Sequence, residues 1–254
     1  MLALYEELTI LLLDPNTKTF PRSKPSAHYI LAASILVELS IKKKIRRNEE
    51  GMITVLDAVP TGDELLDKAF QRIKDVKEER TFRRWIQELS TRIESLAFAI
   101  TSLESKSIIL RKRERWFIFP RTRWHFNNPG IQQSLKFKIA LTDDASRNER
   151  IAGLISLVMA GEDVLKHLFR PEEWDDLRVR YKHFISSNPV PPAVKEMMYT
   201  SGVGDELTLI MLFGALGNME HSSSDNGSDD ASRGDDGGTG ASGGDGGGGD
   251  GGGD

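Results

Sequence analysis

No cysteine occurs among the 254 residues. Disulfides and thiolate metal centres are thereby excluded, which suits a reducing compartment. Long apolar runs are missing as well. The longest, at residues 10–13, 30–37 and 210–216, fall well short of the ~20 residues a membrane-spanning helix needs. Residues 1–7 show no basic region ahead of an apolar run, so no secretory signal is expected. The chain also lacks a Gly-rich phosphate loop, a His-Glu-x-x-His pair and a Gly-x-Ser-x-Gly elbow. His28, His125, His167 and His183 stand apart, and the acid pairs Asp143-Asp144 and Asp175-Asp176 fall in or beside predicted helices, where capping or solvation accounts for them. No catalytic residue, cofactor or metal is expected, and the chain reads as a non-enzyme.

Composition divides the chain in two. From Glu220 onward it is mostly Gly, Asp and Ser, with nine acids and one base, Arg233. The net charge of −4 therefore separates into a tail at −8 and a body at +4. Residues 1–219 are expected to form the folded domain. Residues 220–254 read as a disordered acidic tail, because such a composition cannot bury enough apolar surface to offset its ordering entropy. A mildly basic body is compatible with a polyanionic partner.

The body is predicted to be mostly α: a compact multi-helix domain with one projecting β-hairpin. Residues 2–13 are apolar and end at the turn signal Asp14-Pro15-Asn16, so the segment is either a helix or a buried strand. Ser26 is a candidate cap for a helix over 26–44, and Lys42 to Arg47 reads as its basic exit. Residues 52–56 alternate as a short strand. Thr61 to Glu64 has capping-box spacing ahead of a helix carrying Leu65, Leu66, Ala69, Phe70 and Ile73. Further helices are predicted over 81–89, 90–106, 129–141, 145–161, 163–169, 172–185 and 192–216.

Two β-prone runs, Ile108-Ile109-Leu110 and Arg115-Trp116-Phe117-Ile118-Phe119, flank the charged segment Arg111-Lys112-Arg113-Glu114. They read as a hairpin with a charged turn. Lys106, Arg111, Lys112, Arg113, Arg115, Arg121 and Arg123 face one acid, Glu114. Rings beside cations suit a lipid interface, where aromatics favour the headgroup boundary and bases attract anionic lipid. Each base near such a surface is worth about 1 kcal/mol. The competing reading is that Phe117 and Phe119 are the core face of a strand. Helices with a basic hairpin also match a winged-helix nucleic-acid binder, although the acidic tail and modest body charge argue against nucleic acid.

Several segments, in order, resemble the Golgi phosphoprotein 3 family. They are Leu8-Thr9-Ile10-Leu11-Leu12-Leu13-Asp14, Leu36-Val37-Glu38-Leu39 with the basic run after it, and Val59-Pro60-Thr61-Gly62-Asp63-Glu64-Leu65-Leu66-Asp67. Trp85-Ile86, Trp116-Phe117-Ile118-Phe119-Pro120 and Asp163-Val164-Leu165 continue the series. The resemblance spans about residues 1–217. It implies a largely helical fold with a projecting hairpin that contacts the membrane through Arg111, Lys112, Arg113, Arg115, Trp116, Phe117, Ile118 and Phe119. It also implies binding of phosphatidylinositol 4-phosphate or another anionic phospholipid. Further implications are attachment to the cytosolic face of a membrane (the Golgi in eukaryotes), retention of membrane enzymes by their cytosolic tails, and a possible homo-oligomer. The headgroup pocket departs from the family pattern. An ungapped alignment puts Ser23, Ala32, Ile93 and Leu96 at the positions of its Trp and three Arg. Arg22, Lys24, Arg92, Arg121 and Arg123 are the nearby candidates for headgroup binding. These departures point to a prokaryotic relative.

Overall fold

The computed structural model describes residues 1–48, 50, 52–116, 119–140 and 148–187. The predicted helix over 192–216 and the acidic tail lie outside the described residues, as do Phe117 and Ile118.

The domain is built around two helices, α1 (Leu4–Leu12) and α2 (Pro25–Ile41). Every residue of α1 is buried, as is most of α2. Residues 2–13 thus contain a helix, buried on every face, with its two glutamates among the buried residues. α3 (Glu64–Asp75), α4 (Phe82–Arg92), α5 (Ser95–Ser105), α6 (Ile131–Ala140), α7 (Glu149–Ala160), α8 (Glu162–Leu165) and α9 (Pro171–Ser187) complete the helical set. Gly153 lets α7 close on α2: a Cβ there would stand 2.9 Å from Val37 Cγ1.

Three buried acids tie α1 into this frame. Glu6 accepts from Ser102 Oγ and Lys106 Nζ, both at 2.5 Å, and from the Ala3 amide at 2.9 Å. Glu38 accepts from the Leu4 amide at 2.9 Å and from Arg150 at 2.6 Å. Arg150 also reaches Glu7 at 3.2 Å. Buried carboxylates require such partners, since an unpaired one would bear the full desolvation cost.

Several local expectations are corrected. Ser26 does not cap α2. Lys24 is the N-cap residue, without a side-chain bond, and the Ser26 hydroxyl donates to Asp163 at 2.5 Å. Thr61 does not cap α3 either. That role falls to Asp63, which accepts from the Leu66 amide, while the Thr61 hydroxyl and amide both bond Asp67. The basic exit of α2 contains a strand, β1 (Ile45–Arg47), which pairs antiparallel with β2 (Met52–Val55); β3 (Arg80–Thr81) closes the small sheet in the order β1-β2-β3. The predicted helix over 90–106 is broken: Ile93 is extended and 5 % exposed, between α4 and α5. No Gly or Pro marks that break.

The second sheet is the hairpin β4 (Ile109–Trp116) and β5 (Phe119–Phe126). The charged segment 111–114 is strand, not turn. Pairing runs without a bulge from Ile109↔Phe126 to Trp116↔Phe119, so Trp116 and Phe119 form the last pair of the arm. α5 leads into β4 as α2 leads into β1, through a non-glycine residue in the left-handed region: Ser107 (φ 55°) and Lys43 (φ 56°). In each case the next amide bonds back across the helix end, Ile108 to Leu103 and Lys44 to Leu39.

Candidate functional site

The hairpin is anchored at its base. Ile109 and Trp124 are buried, and from Leu110 through Arg113 β4 is exposed. Trp124 is the anchor. Its indole N–H donates to Glu104 at 2.9 Å, its amide donates to the Lys18 carbonyl at 2.9 Å, and its ring meets Phe20 edge-on with centroids 5.2 Å apart. Two guanidiniums approach the same ring, Arg22 at 4.9 Å and Arg111 at 6.0 Å, a favourable arrangement for a cation near a π face. Tertiary contact thus draws the basic loop before α2 to the foot of the arm.

Not all of the sequence's seven cations face outward. Lys106 is committed to buried Glu6. Arg111 forms a fork on Glu104 at 2.8 and 2.7 Å. Arg123 pairs across the strands with Glu114 at 2.9 Å. Lys112 and Arg113 are exposed and have no acidic partner among the described residues. For Arg115, Trp116, Phe119 and Arg121 the hairpin register places the backbone. The neighbouring bases Lys18 and Lys112, together with desolvation as the larger cause, lower the pKa of His125.

A hollow of about 300 Å³ opens beside the arm's base. Arg22 comes to it from the loop before α2 and His28 from the first turn of α2, and Ser90, Thr91, Ile93, Glu94 and Leu96 from the α4–α5 junction. His28 Nε2 lies 2.9 Å from the Arg22 carbonyl, which ties these two residues together. Ile93 and Leu96 line this hollow and make part of its wall apolar. Ala32 is fully buried and does not line it. Of the candidate headgroup residues, Arg22 lies in the hollow. Lys24 turns toward the Asp163 carbonyl at 3.5 Å, and Arg92 lines an adjoining groove. Sequence reasoning passed over His28, Ser90 and Thr91. A lone His and two small hydroxyls carry no spacing signal, and only the tertiary approach of α2 to α4 collects them.

Among the described residues no group of three or more His, Asp or Glu could hold a metal ion, and no helix is long and apolar enough to cross a membrane. The His167 Nε2–H donates to the Leu11 carbonyl at 2.9 Å, and Asp175 pairs with Arg178. Asp143 and Asp144 lie outside the described residues.

A colinear set of motifs, a buried two-helix centre and a projecting basic hairpin are thus combined in one domain. The family model described as Golgi phosphoprotein 3 (GPP34) matches residues 4–200, which covers every element above. The chain belongs to the Golgi phosphoprotein 3 family.

Proposed function

We propose that this chain is a peripheral membrane adaptor. In this reading it docks on an anionic bilayer through the hairpin and holds membrane proteins there by their cytosolic tails. The supporting observation is the stacking of Arg22 on Trp124. It joins the hollow to the foot of the arm, so that a lipid phosphate at Arg22 and the basic arm would serve one surface. Lys112 and Arg113 add exposed positive charge along the arm, and each such base contributes about 1 kcal/mol at an anionic surface. Ring insertion supplies the part of the affinity that salt does not screen.

Phosphatidylinositol 4-phosphate is the headgroup the family suggests. The apolar wall of Ile93 and Leu96 offers fewer charge-assisted hydrogen bonds than arginines would, so generic attraction to anionic lipid carries more of the binding here. Vesicle flotation tests both points. Vesicles containing phosphatidylserine or phosphatidylinositol 4-phosphate, matched for total charge, are expected to carry the protein, and neutral phosphatidylcholine vesicles are not. A protein left in solution by all three sinks the reading.

A further inference from the structure

A second hollow, with a basic rim, adjoins the first. It encloses about 430 Å³ between α3 and α4, and Ile93 lines both. Its rim carries Lys68 and Arg72 from α3 and Arg92 from the end of α4. Lys68 and Arg72 are four residues apart, as are Arg84, Glu88 and Arg92 on α4, so helical geometry brings each set to one face.

Glu88 organises the cations. It accepts from Arg72 Nε and Nη2 at 3.2 and 2.7 Å and from Arg80 at 3.4 Å, and it lies 3.9 Å from Arg92. This crowd of guanidiniums, led by the Arg72 bond, holds the Glu88 carboxyl below the usual carboxylate range. One carboxylate cannot neutralise three arginines. Lys68 lies over the Phe98 ring at 4.6 Å, and Asp75 is engaged by Gln71 at 2.7 Å. Arg80 also pairs with Glu78 at 3.7 Å; with Lys68, Asp75 and Glu78 included, the bases exceed the acids by one. The Arg92 side chain is 69 % exposed, so its charge reaches outward. The cations are therefore positioned before any partner arrives, which reduces the ordering cost of binding.

We propose that the α3–α4 groove is a second phospholipid-headgroup contact, separate from the hollow at Arg22 and His28. A lipid phosphate would accept hydrogen bonds from Lys68, Arg72 and Arg92, with Ile93 as an apolar floor for the glycerol end. Two adjoining contacts on one rigid body turn the second binding event into an intramolecular one, and the avidity gained exceeds either contact alone. This inference rests on the membrane reading given above and adds to it a second point of attachment.

The test is flotation of the full chain with vesicles of phosphatidylcholine and phosphatidylserine over a range of salt. Lys68→Gln/Arg92→Gln removes two groove cations and leaves the Arg72–Glu88 pair intact, so the fold is not challenged. Arg46→Gln/Lys166→Gln makes the same charge change at exposed positions elsewhere. The groove variant should bind on the order of tenfold more weakly, with a shallower salt dependence, whereas the control stays within about twofold of wild type. Equal losses in both variants reduce the effect to net charge and overturn the proposal. Unchanged binding of the groove variant overturns it too, and leaves the hairpin reading standing. Wild-type protein that ignores anionic vesicles removes both.

Discussion

The Arg22 guanidinium carbon lies 4.9 Å from the Trp124 ring centroid, although the two residues are far apart in sequence. Phe20 and the Lys18 carbonyl hold the same tryptophan, so the loop before α2 and the root of the hairpin form one rigid joint. Trp124→Phe keeps a ring for these contacts and deletes the N–H that Glu104 accepts. A loss of about 1–2 kcal/mol is expected in a urea titration. An unchanged midpoint would mean that Glu104 is already satisfied by Arg111.

The tip of the arm separates insertion from simple charge attraction. Trp116→Ala/Phe117→Ala changes no charge, yet it should weaken vesicle binding at low salt, where electrostatics are strongest. Equal affinity of variant and wild type at low salt would assign binding to the bases alone.

The Pro-Thr-Gly-Asp segment acts structurally in this fold. Asp67 accepts from the Thr61 amide at 2.6 Å, the Thr61 hydroxyl at 2.7 Å and the Gly62 amide at 3.1 Å. Gly62 has φ of 82°, and nothing within 4 Å would meet an added Cβ. Gly62→Ala should therefore cost about 1–2 kcal/mol through backbone strain alone. Thermal unfolding measures it, and a loss near zero would show that the turn relaxes.

Acid should loosen the attachment of α1. Burial alone would raise the pKa of Glu6, but the bonds from Lys106, Ser102 and the Ala3 amide outweigh it and hold the carboxyl below the ordinary value. A depressed folded pKa contributes stability above the unfolded carboxylate pKa of about 4, and that contribution is lost as pH falls through the folded value. Glu6→Gln should cost about 2–3 kcal/mol near neutral pH. The gap to wild type should shrink below pH 4; a gap independent of pH would contradict this account.

Ser107 tests the helix-to-hairpin joint. Its φ of 55° strains a residue with a Cβ, and Gly removes that strain at some cost in unfolded-state entropy. Ser107→Gly is expected to raise stability by about 0.5 kcal/mol, and Ser107→Val to lower it by at least 1 kcal/mol. Denaturant midpoints of the two variants should move in opposite directions; shifts of the same sign would point to some other role for the hydroxyl.

Much of this protein was legible from residue order alone. Periodicity and capping residues located most of the helices, and the family motifs Leu36-Val37-Glu38-Leu39 and Pro60-Thr61-Gly62-Asp63 placed the chain. The basic, aromatic character of 106–123 marked the arm. These features are readable because they depend on neighbours one to four residues away. The extent of β4 was not, since charged residues on an exposed two-stranded arm look like a turn until cross-strand pairing is known. Tertiary structure decided which cations are free: Lys106, Arg111 and Arg123 are matched to Glu6, Glu104 and Glu114. It also decided that the boundary between α4 and α5 falls at Ile93 and not at 89–90, and Ile93 lines both hollows. Charge and periodicity are properties of the chain, whereas pairing and burial depend on which distant segments meet.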